Sequence, residues 1–208
     1  SVTDWDRSFS ADLNYSTYKP IISWGEAKLV DGVYGILADG KAMFYDEALK
    51  TSETLTGVAF VIKGKAYQVA KVNAYDDQGF HWQEDNTVIS GLTNYTTVDG
   101  TNRDGEFDRS NSDPQLSHDP YTWTAGALSD FDGQANTAKI IDAIYNNLDD
   151  YNIAKAIMDF RNGANNEGKT DWFVPSCGEL ACMYLMRNEI NALLAKVNGG
   201  SAIFTKYH

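Results

Sequence analysis

A proline followed by a helix-capping pattern is the feature that most constrains how this chain can fold. Pro175 restricts the residue before it to an extended conformation, so residues 172–174 are predicted to form a short strand. Ser176 and Glu179 match the S-x-x-E capping box, in which the serine begins a helix and the glutamate accepts a hydrogen bond from the serine amide. The run therefore predicts a strand that leads directly into a helix, with Glu179 as a capping residue and not a catalytic acid.

Amphipathic helices are predicted on both sides of this point. Asn136 or Thr137 can cap a first helix, and a second helix ends at residues 162–163. The helix that starts at Ser176 bends near residues 187–188 and ends at residues 198–200. Spacings of three and four place the apolar residues on one face of each helix. The residues expected to be buried are Ile140, Ile141, Ile144, Tyr145 and Leu148 in the first helix, and Leu180, Met183, Tyr184, Ile190, Leu193, Leu194 and Val197 in the last.

The first half of the chain has the pattern of β-structure instead. The turn dipeptides Asp31-Gly32 and Asp39-Gly40 bracket residues 33–37, which predicts a hairpin with residues 42–45. A second hairpin is predicted between residues 56–62 and residues 66–72.

The first strand of the second hairpin, residues 56–62, is an unbroken apolar run, which is typical of a strand buried on both faces. A shorter strand is predicted at residues 80–82. Strands in the first half of the chain and helices in the second half predict an α+β protein.

The two regions outside these elements are polar or irregular. Residues 1–30 mix aromatic and polar residues without a period, which predicts an extended arm in front of a domain at residues 31–208. Residues 83–132 are predicted to be a loop, and its stretch 98–114 is rich in Gly, Asp and Asn. A loop of this length in a compact domain is often functional or mobile. The alternative, which we favour here, is a surface loop without a specific function.

The run around Pro175 resembles the D-W-[YF]-L-P-S-x-G-E-L motif of a family found in phage tail proteins and bacterial surface proteins. Its signature residues here are Trp172, Pro175, Ser176, Glu179 and Leu180. Further likeness lies in the I-N-x-x-L pattern at residues 190–194 and the Gly199-Gly200 stop. The family's G-x-A-N-T-x-x-I-I helix start matches residues 133–141, and its first core hairpin is similar to residues 57–70.

This resemblance implies a C-type-lectin-like fold, which the family shares with the formylglycine-generating enzymes. A mixed sheet would then pack against two to three helices. Family members continue past the Gly-Gly stop into strands that display their ligand-contacting side chains, whereas this sequence ends at His208. We therefore expect a domain that is incomplete at its C-terminus, or completed by another segment, or reused as a structural part.

The amino-acid composition limits the classes of partner that the chain is expected to bind. The chain has 17 Lys and Arg residues against 29 Asp and Glu residues, a formal net charge of −12. This charge disfavours nucleic acid and anionic membrane surfaces, because binding to phosphates depends on Lys and Arg. No apolar run approaches the roughly 20 residues that a membrane-spanning helix needs. We find no nucleophile–base motif and therefore predict that the protein is not an enzyme.

Two candidate sites lie in the long loop. The oxygen-bearing side chains of residues 98–114 predict a candidate calcium site, because calcium prefers oxygen ligands. Apart from this calcium ion, we expect no cofactor. Sugar binding would use aromatic faces beside a carboxylate. The candidate calcium ligands are Asp99, Asn102, Asp104, Glu106 and Asp108, and the candidate ligand-binding residues are Tyr121, Trp123 and Asp119.

The sequence thus predicts a receptor- or glycan-binding component of a phage tail or fibre, or of a bacterial surface adhesin. Its expected partners are a glycan or protein receptor on a cell, and further copies of itself or neighbouring subunits of a virion or cell surface. One alternative is a structural assembly subunit that uses the same scaffold for subunit contacts. A weaker alternative is a carbohydrate-active enzyme.

Overall fold

The computed structural model describes residues 30–72, 74, 89–100, 118–144 and 153–203. These residues form an α+β protein with an antiparallel sheet and five α-helices, as predicted. They fall into two compact units. The first comprises residues 30–72, 74, 160–172 and 186–203, and the second comprises the remaining described residues. The predicted arm before Val30 and the predicted strand at residues 80–82 lie outside the described residues.

The first unit contains a four-stranded sheet built from the two predicted hairpins. Its strands are β1 (Gly32–Leu37), β2 (Ala42–Phe44), β3 (Leu55–Ile62) and β4 (Lys65–Val69), in the order β2-β1-β3-β4. All neighbouring strands are antiparallel. The prediction of a mixed sheet is therefore wrong for the described residues, whose one parallel pairing is an isolated bridge between Leu55 and Val197.

The central position of β3 explains its composition. Every residue of β3 except Thr56 is buried, which confirms the prediction of a strand covered on both faces. Tyr34 on β1 lies opposite Ala59, and Phe60 lies opposite Tyr67 on β4. The rings of Phe60 and Tyr67 stack with their centroids 5.0 Å apart. These cross-strand pairs define the register of the sheet.

A short helix that the sequence analysis did not predict follows β2 directly. Helix α1 (Tyr45–Lys50) begins with two acidic residues in its first turn and ends with Lys50, which suits the helix dipole. Its C-terminal end is capped by Lys196, whose Nζ donates to the carbonyl oxygens of Ala48 and Leu49 at 2.7 Å and of Thr51 at 3.0 Å. A distant lysine therefore stabilises a helix of only six residues.

The helices of the second half are α2 (Gly133–Ile144), α3 (Ile153–Asn162), α4 (Cys177–Leu185) and α5 (Arg187–Leu194). The bend predicted near residues 187–188 is a full break at Met186. Helix α5 belongs to the first unit, where Ile190, Leu193 and Leu194 are completely buried. Helices α1 and α5 both contact the sheet.

The second unit contains α2, α4, most of α3 and two short 3₁₀ turns at Pro120–Thr122 and Ala127–Ser129. Ile140 on α2 packs with Ile89 and Ala154 in a small apolar cluster. Ile141 contributes at its edge, so these two residues of the predicted apolar face of the first helix are confirmed. Tyr145 and Leu148, also predicted for that face, lie outside the described residues, as does the side chain of Ile144.

Four local predictions are wrong. The last helix ends at Leu194, ahead of residues 198–200. Helix α2 begins at Gly133, ahead of Asn136 and Thr137. Leu180 is 43% exposed and not buried. Residues 172–174 form no strand, because side chains take the place of a partner strand. Arg161 Nε donates to the carbonyl oxygen of Trp172 at 2.6 Å, and the amide of Val174 donates to Thr137 Oγ1 at 2.9 Å.

Among the described residues, no helix combines the length and apolar character that crossing a membrane requires.

Candidate functional site

The capping residue Glu179 lies at the centre of a buried polar corner in the second unit. Its Oε2 accepts a hydrogen bond from the amide of Ser176 at 2.8 Å, as the capping box predicts. Its Oε1 lies 3.4 Å from the amide of Gly133, the first residue of α2. One carboxylate therefore accepts from the first turn of α2 and from the residue before α4.

The hydroxyl of Ser176 has a different role from the one that the capping box gives it. Ser176 Oγ donates to the carbonyl oxygen of Asp130 at 2.7 Å, and the amide of Gly178 donates to the same oxygen at 3.0 Å. A Cβ on Gly178 would lie 2.5 Å from the carbonyl oxygens of Asp130 and Leu128, closer than packed atoms approach. Glycine is therefore required for α4 to approach this loop.

This polar corner is buried. Glu179 is 2% exposed and Ser176 is also buried. A carboxylate that is enclosed and accepts from backbone amides is well placed to position two helices. The geometry supports the interpretation of Glu179 as a structural residue.

The three predicted ligand-binding residues lie on or beside the 3₁₀ turn Pro120–Thr122. Asp119 caps the turn, since its Oδ1 accepts from the amide of Tyr121 at 3.0 Å. The carbonyl oxygen of Asp119 accepts from Thr122 Oγ1 at 2.7 Å. Tyr121 is 58% exposed, whereas Trp123 is buried. The turn therefore presents one aromatic ring, that of Tyr121, to solvent.

The predicted calcium ligands cannot be compared with the structure as a set. Asp99 is described, but Asn102, Asp104, Glu106 and Asp108 lie outside the described residues. Within the described ranges, no group of three or more His, Cys, Asp or Glu side chains could hold a metal ion. The calcium site remains a prediction, and a fall in the melting temperature on addition of EDTA would support it.

The first unit contains a polar cluster that the sequence analysis missed, which we call the Gln68 cluster (Gln68, Glu167, Lys169). Gln68 lies on β4 and is 2% exposed. Its Nε2 donates to Glu167 Oε2 at 3.1 Å, and its Oε1 accepts from Lys169 Nζ at 2.6 Å. Both polar atoms of one buried carboxamide are thus engaged by ionisable side chains of a single loop.

The loop that carries Glu167 and Lys169 is held by its own hydrogen bonds. Asn166 Oδ1 accepts from the amide of Gly168 at 2.9 Å, and Asn166 Nδ2 donates to the carbonyl oxygen of Arg161 at 2.6 Å. The backbone at Glu167 has a φ of 57°, in the left-handed region that non-glycine residues rarely adopt. A turn braced in this way directs the side chains of Glu167 and Lys169 to Gln68.

Trp172 and the end of the β3–β4 hairpin border the Gln68 cluster, in which Glu167 and Lys169 are half-buried. Trp172 is 1% exposed, and its Nε1 donates to the carbonyl oxygen of Asn166 at 2.8 Å. Lys169 Nζ lies 5.9 Å from the centroid of the Trp172 ring. A second oxygen of Glu167, Oε1, accepts from the amide of Lys71 at 3.0 Å. The cluster is therefore fixed both to β4 and to the end of its hairpin.

Burial shifts both ionisable groups towards their neutral forms. Desolvation lowers the pKa of Lys169 to about 8, although the charges of Glu167 and Asp171 act in the opposite direction. Desolvation also raises the pKa of Glu167, against the hydrogen bond from the Lys71 amide and the charges of Lys169 and Lys71. Shifts of this kind concentrate at sites where side chains do chemistry, although structural ion pairs also show them.

One signal in the sequence could have revealed this cluster. Gln68 is the one strongly polar residue of the run Ala66-Tyr67-Gln68-Val69-Ala70, and a buried amide needs partners. Its partners lie about a hundred positions away, at residues 167 and 169, which no local pattern reaches.

No family model matches this chain, and no curated protein or solved structure matches it either. The resemblance of the run around Pro175 to the phage-tail and bacterial-surface family therefore remains a prediction from the sequence.

Proposed function

We propose that this protein is a non-enzymatic receptor- or glycan-binding component of a phage tail or fibre, or of a bacterial cell-surface adhesin. In this proposal the protein is located on a virion or at a cell surface, and it has a C-type-lectin-like fold. The observation that carries the proposal is the exposed ring of Tyr121 on a turn capped by Asp119. An exposed aromatic ring beside a carboxylate is suited to the apolar face and hydroxyl groups of a sugar, or to a receptor surface.

Two further features support binding without turnover. Glu179, the carboxylate that the capping pattern singles out, is buried and accepts hydrogen bonds from backbone amides. The net charge of −12 favours the solubility of a protein displayed in many copies, because like charges keep copies apart. Oligomeric assembly is part of the proposal, since tail and fibre components are usually symmetric oligomers.

Binding of the full chain to a glycan array and to intact bacterial cells tests this proposal. We expect saturable binding to at least one glycan class or cell type. An array and a cell panel that give no signal above a denatured control would overturn it.

Replacing Tyr121 by alanine should weaken that binding by about tenfold or more, because exposed aromatic residues dominate the affinity of recognition surfaces. Leu49→Ala is the matched control, since Leu49 is another large apolar residue that is exposed, at 41%. Titration of each variant with the ligand found on the array measures the effect. If Leu49→Ala weakens binding as much as Tyr121→Ala, the turn is not the binding surface.

Deletion of residues 1–29 distinguishes receptor binding from the alternative role as a structural assembly subunit. Val30 is kept, because its carbonyl oxygen accepts from the hydroxyl of Tyr34 at 3.0 Å. For a receptor-binding protein we expect the oligomer to be lost while glycan or cell binding remains, as measured by light scattering and by the array. Loss of assembly in a chain that binds no glycan or cell in either form favours the assembly subunit.

A further inference from the structure

The Gln68 cluster places an amine, a carboxamide and a carboxyl group in direct contact. Lys169 Nζ lies 2.6 Å from Gln68 Oε1, and Glu167 Oε2 lies 3.1 Å from Gln68 Nε2. The carbonyl carbon is only about 1.2 Å beyond that oxygen. By these two distances Lys169 Nζ lies at most about 3.8 Å from the carbonyl carbon, close to the roughly 3–3.5 Å separation of reacting atoms in a near-attack geometry.

From this geometry we propose that Lys169 and Gln68 form an intramolecular isopeptide bond, with Glu167 as the group that transfers the proton. The proposal does not depend on what the protein binds.

The reaction is an exchange of one amide for another. The lone pair of Lys169 Nζ attacks Gln68 Cδ, and the bond between Cδ and Nε2 breaks. The carboxyl group of Glu167 donates a proton to the departing nitrogen, and the attacking nitrogen returns a proton to Glu167. The products are a secondary amide between the two side chains and one molecule of ammonia, so the atoms balance and no oxidant or cofactor is needed.

The surroundings provide the protonation states that this exchange needs. The amine attacks only when it is neutral, and a pKa of about 8 leaves an appreciable neutral fraction of Lys169 near neutral pH. The carboxyl group must be able to give a proton, and burial raises the pKa of Glu167 in that direction. The charged groups that act on Lys169 are Glu167 and Asp171, and Lys71 acts on Glu167.

The reacting groups are also held in place. Gln68 is fixed within β4, opposite Ala59. A Cβ on Gly57 would lie 3.0 Å from Gln68 Nε2, so the absence of a side chain at Gly57 leaves room for the carboxamide. The braced turn at Asn166 and Gly168 fixes the other side of the contact. Holding two reacting groups in position in this way can remove a large part of the activation free energy of the corresponding intermolecular reaction.

The intact mass of the purified full chain tests the proposal. We expect the protein to be lighter than its calculated mass by one ammonia, about 17 Da. Digestion with trypsin should then give a branched peptide in which residues 66–71 are joined to residues 162–187, because cleavage after a modified Lys169 is blocked. Peptide mapping also separates this bond from loss of ammonia at the Asn-Gly pairs 162–163 and 198–199.

Variants of the three residues identify their roles. Lys169→Arg and Gln68→Ala should restore each variant's full calculated mass, and Glu167→Gln should restore it wholly or in large part. Lys71→Arg is the control that should retain the loss of ammonia, since arginine keeps both the backbone amide that donates to Glu167 and the positive charge that acts on it. Recovery of residues 66–71 and of the peptide ending at Lys169 as separate, unmodified peptides from the wild-type chain would overturn the proposal and leave a hydrogen-bonded cluster only.

Discussion

Replacing Glu179 by alanine is expected to lower the free energy of unfolding by about 3 kcal/mol or more, because buried backbone donors would lose their acceptor and each costs about 1–3 kcal/mol. The donors are the amides of Ser176 and Gly133, which lie at the starts of α4 and α2. Chemical denaturation followed by far-ultraviolet circular dichroism measures the change. Glu179→Gln keeps one acceptor oxygen and should have a smaller effect.

The chain contains a close control for this experiment. Glu189 occupies the same third helical position in α5 that Glu179 occupies in α4, but Glu189 is exposed. Glu189→Ala should change the free energy of unfolding by no more than about 0.5 kcal/mol, as is usual for surface substitutions. Equal effects at the two positions would show that Glu179 contributes only ordinary helix propensity and not a buried cap.

Replacing Trp172 by alanine is expected to lower the free energy of unfolding by about 3–5 kcal/mol, the usual range for a large buried aromatic side chain. Trp172 packs edge-on against Phe160, with their ring centroids 5.7 Å apart, and donates to the carbonyl oxygen of Asn166. Trp172→Phe retains most of the apolar volume and should cost less, mainly through the lost hydrogen bond. Circular dichroism is again the measurement, since it does not depend on tryptophan emission.

The control for Trp172 is an aromatic residue in solvent. Tyr121→Ala removes a ring that is already exposed, so the stability of that variant should remain within about 0.5 kcal/mol of the wild type. A small effect of Trp172→Ala, comparable to that of Tyr121→Ala, would contradict the burial of Trp172.

The parts of the fold that sequence could predict are those fixed by local chemistry. The two hairpins follow from β-branched runs and from turns such as Asp39-Gly40, where Gly40 has a φ of 84°. The capping contact of Glu179 follows from a spacing of three residues. Each of these features is decided within a few residues of the chain.

The errors occur where distant residues decide the local structure. Helix α1 depends on Lys196, nearly 150 positions away, which caps its end. The expected strand at residues 172–174 fails because Arg161 and Thr137 satisfy its backbone groups. Leu180 fits the apolar pattern of its helix by spacing, yet it is exposed.

The two candidate sites differ in the same way, because one is formed by neighbouring residues and the other by distant ones. The candidate ligand-binding residues are neighbours in sequence, so their turn could be predicted from the local composition. The burial of Trp123 could not be predicted in this way. The Gln68 cluster brings together residues 68, 167 and 169, and their contact is created by the fold alone. Sequence reasoning therefore found a surface candidate and missed the cluster in which burial shifts the pKa of both Glu167 and Lys169.

The central claim is that this protein recognises a cell-surface ligand and does not transform it. The most direct test is a titration with the glycan or receptor identified by array or cell binding, after which the ligand is recovered and analysed by mass spectrometry. We predict saturable binding with the ligand recovered unchanged. A cleaved or otherwise altered ligand, or the absence of saturable binding, would contradict the claim.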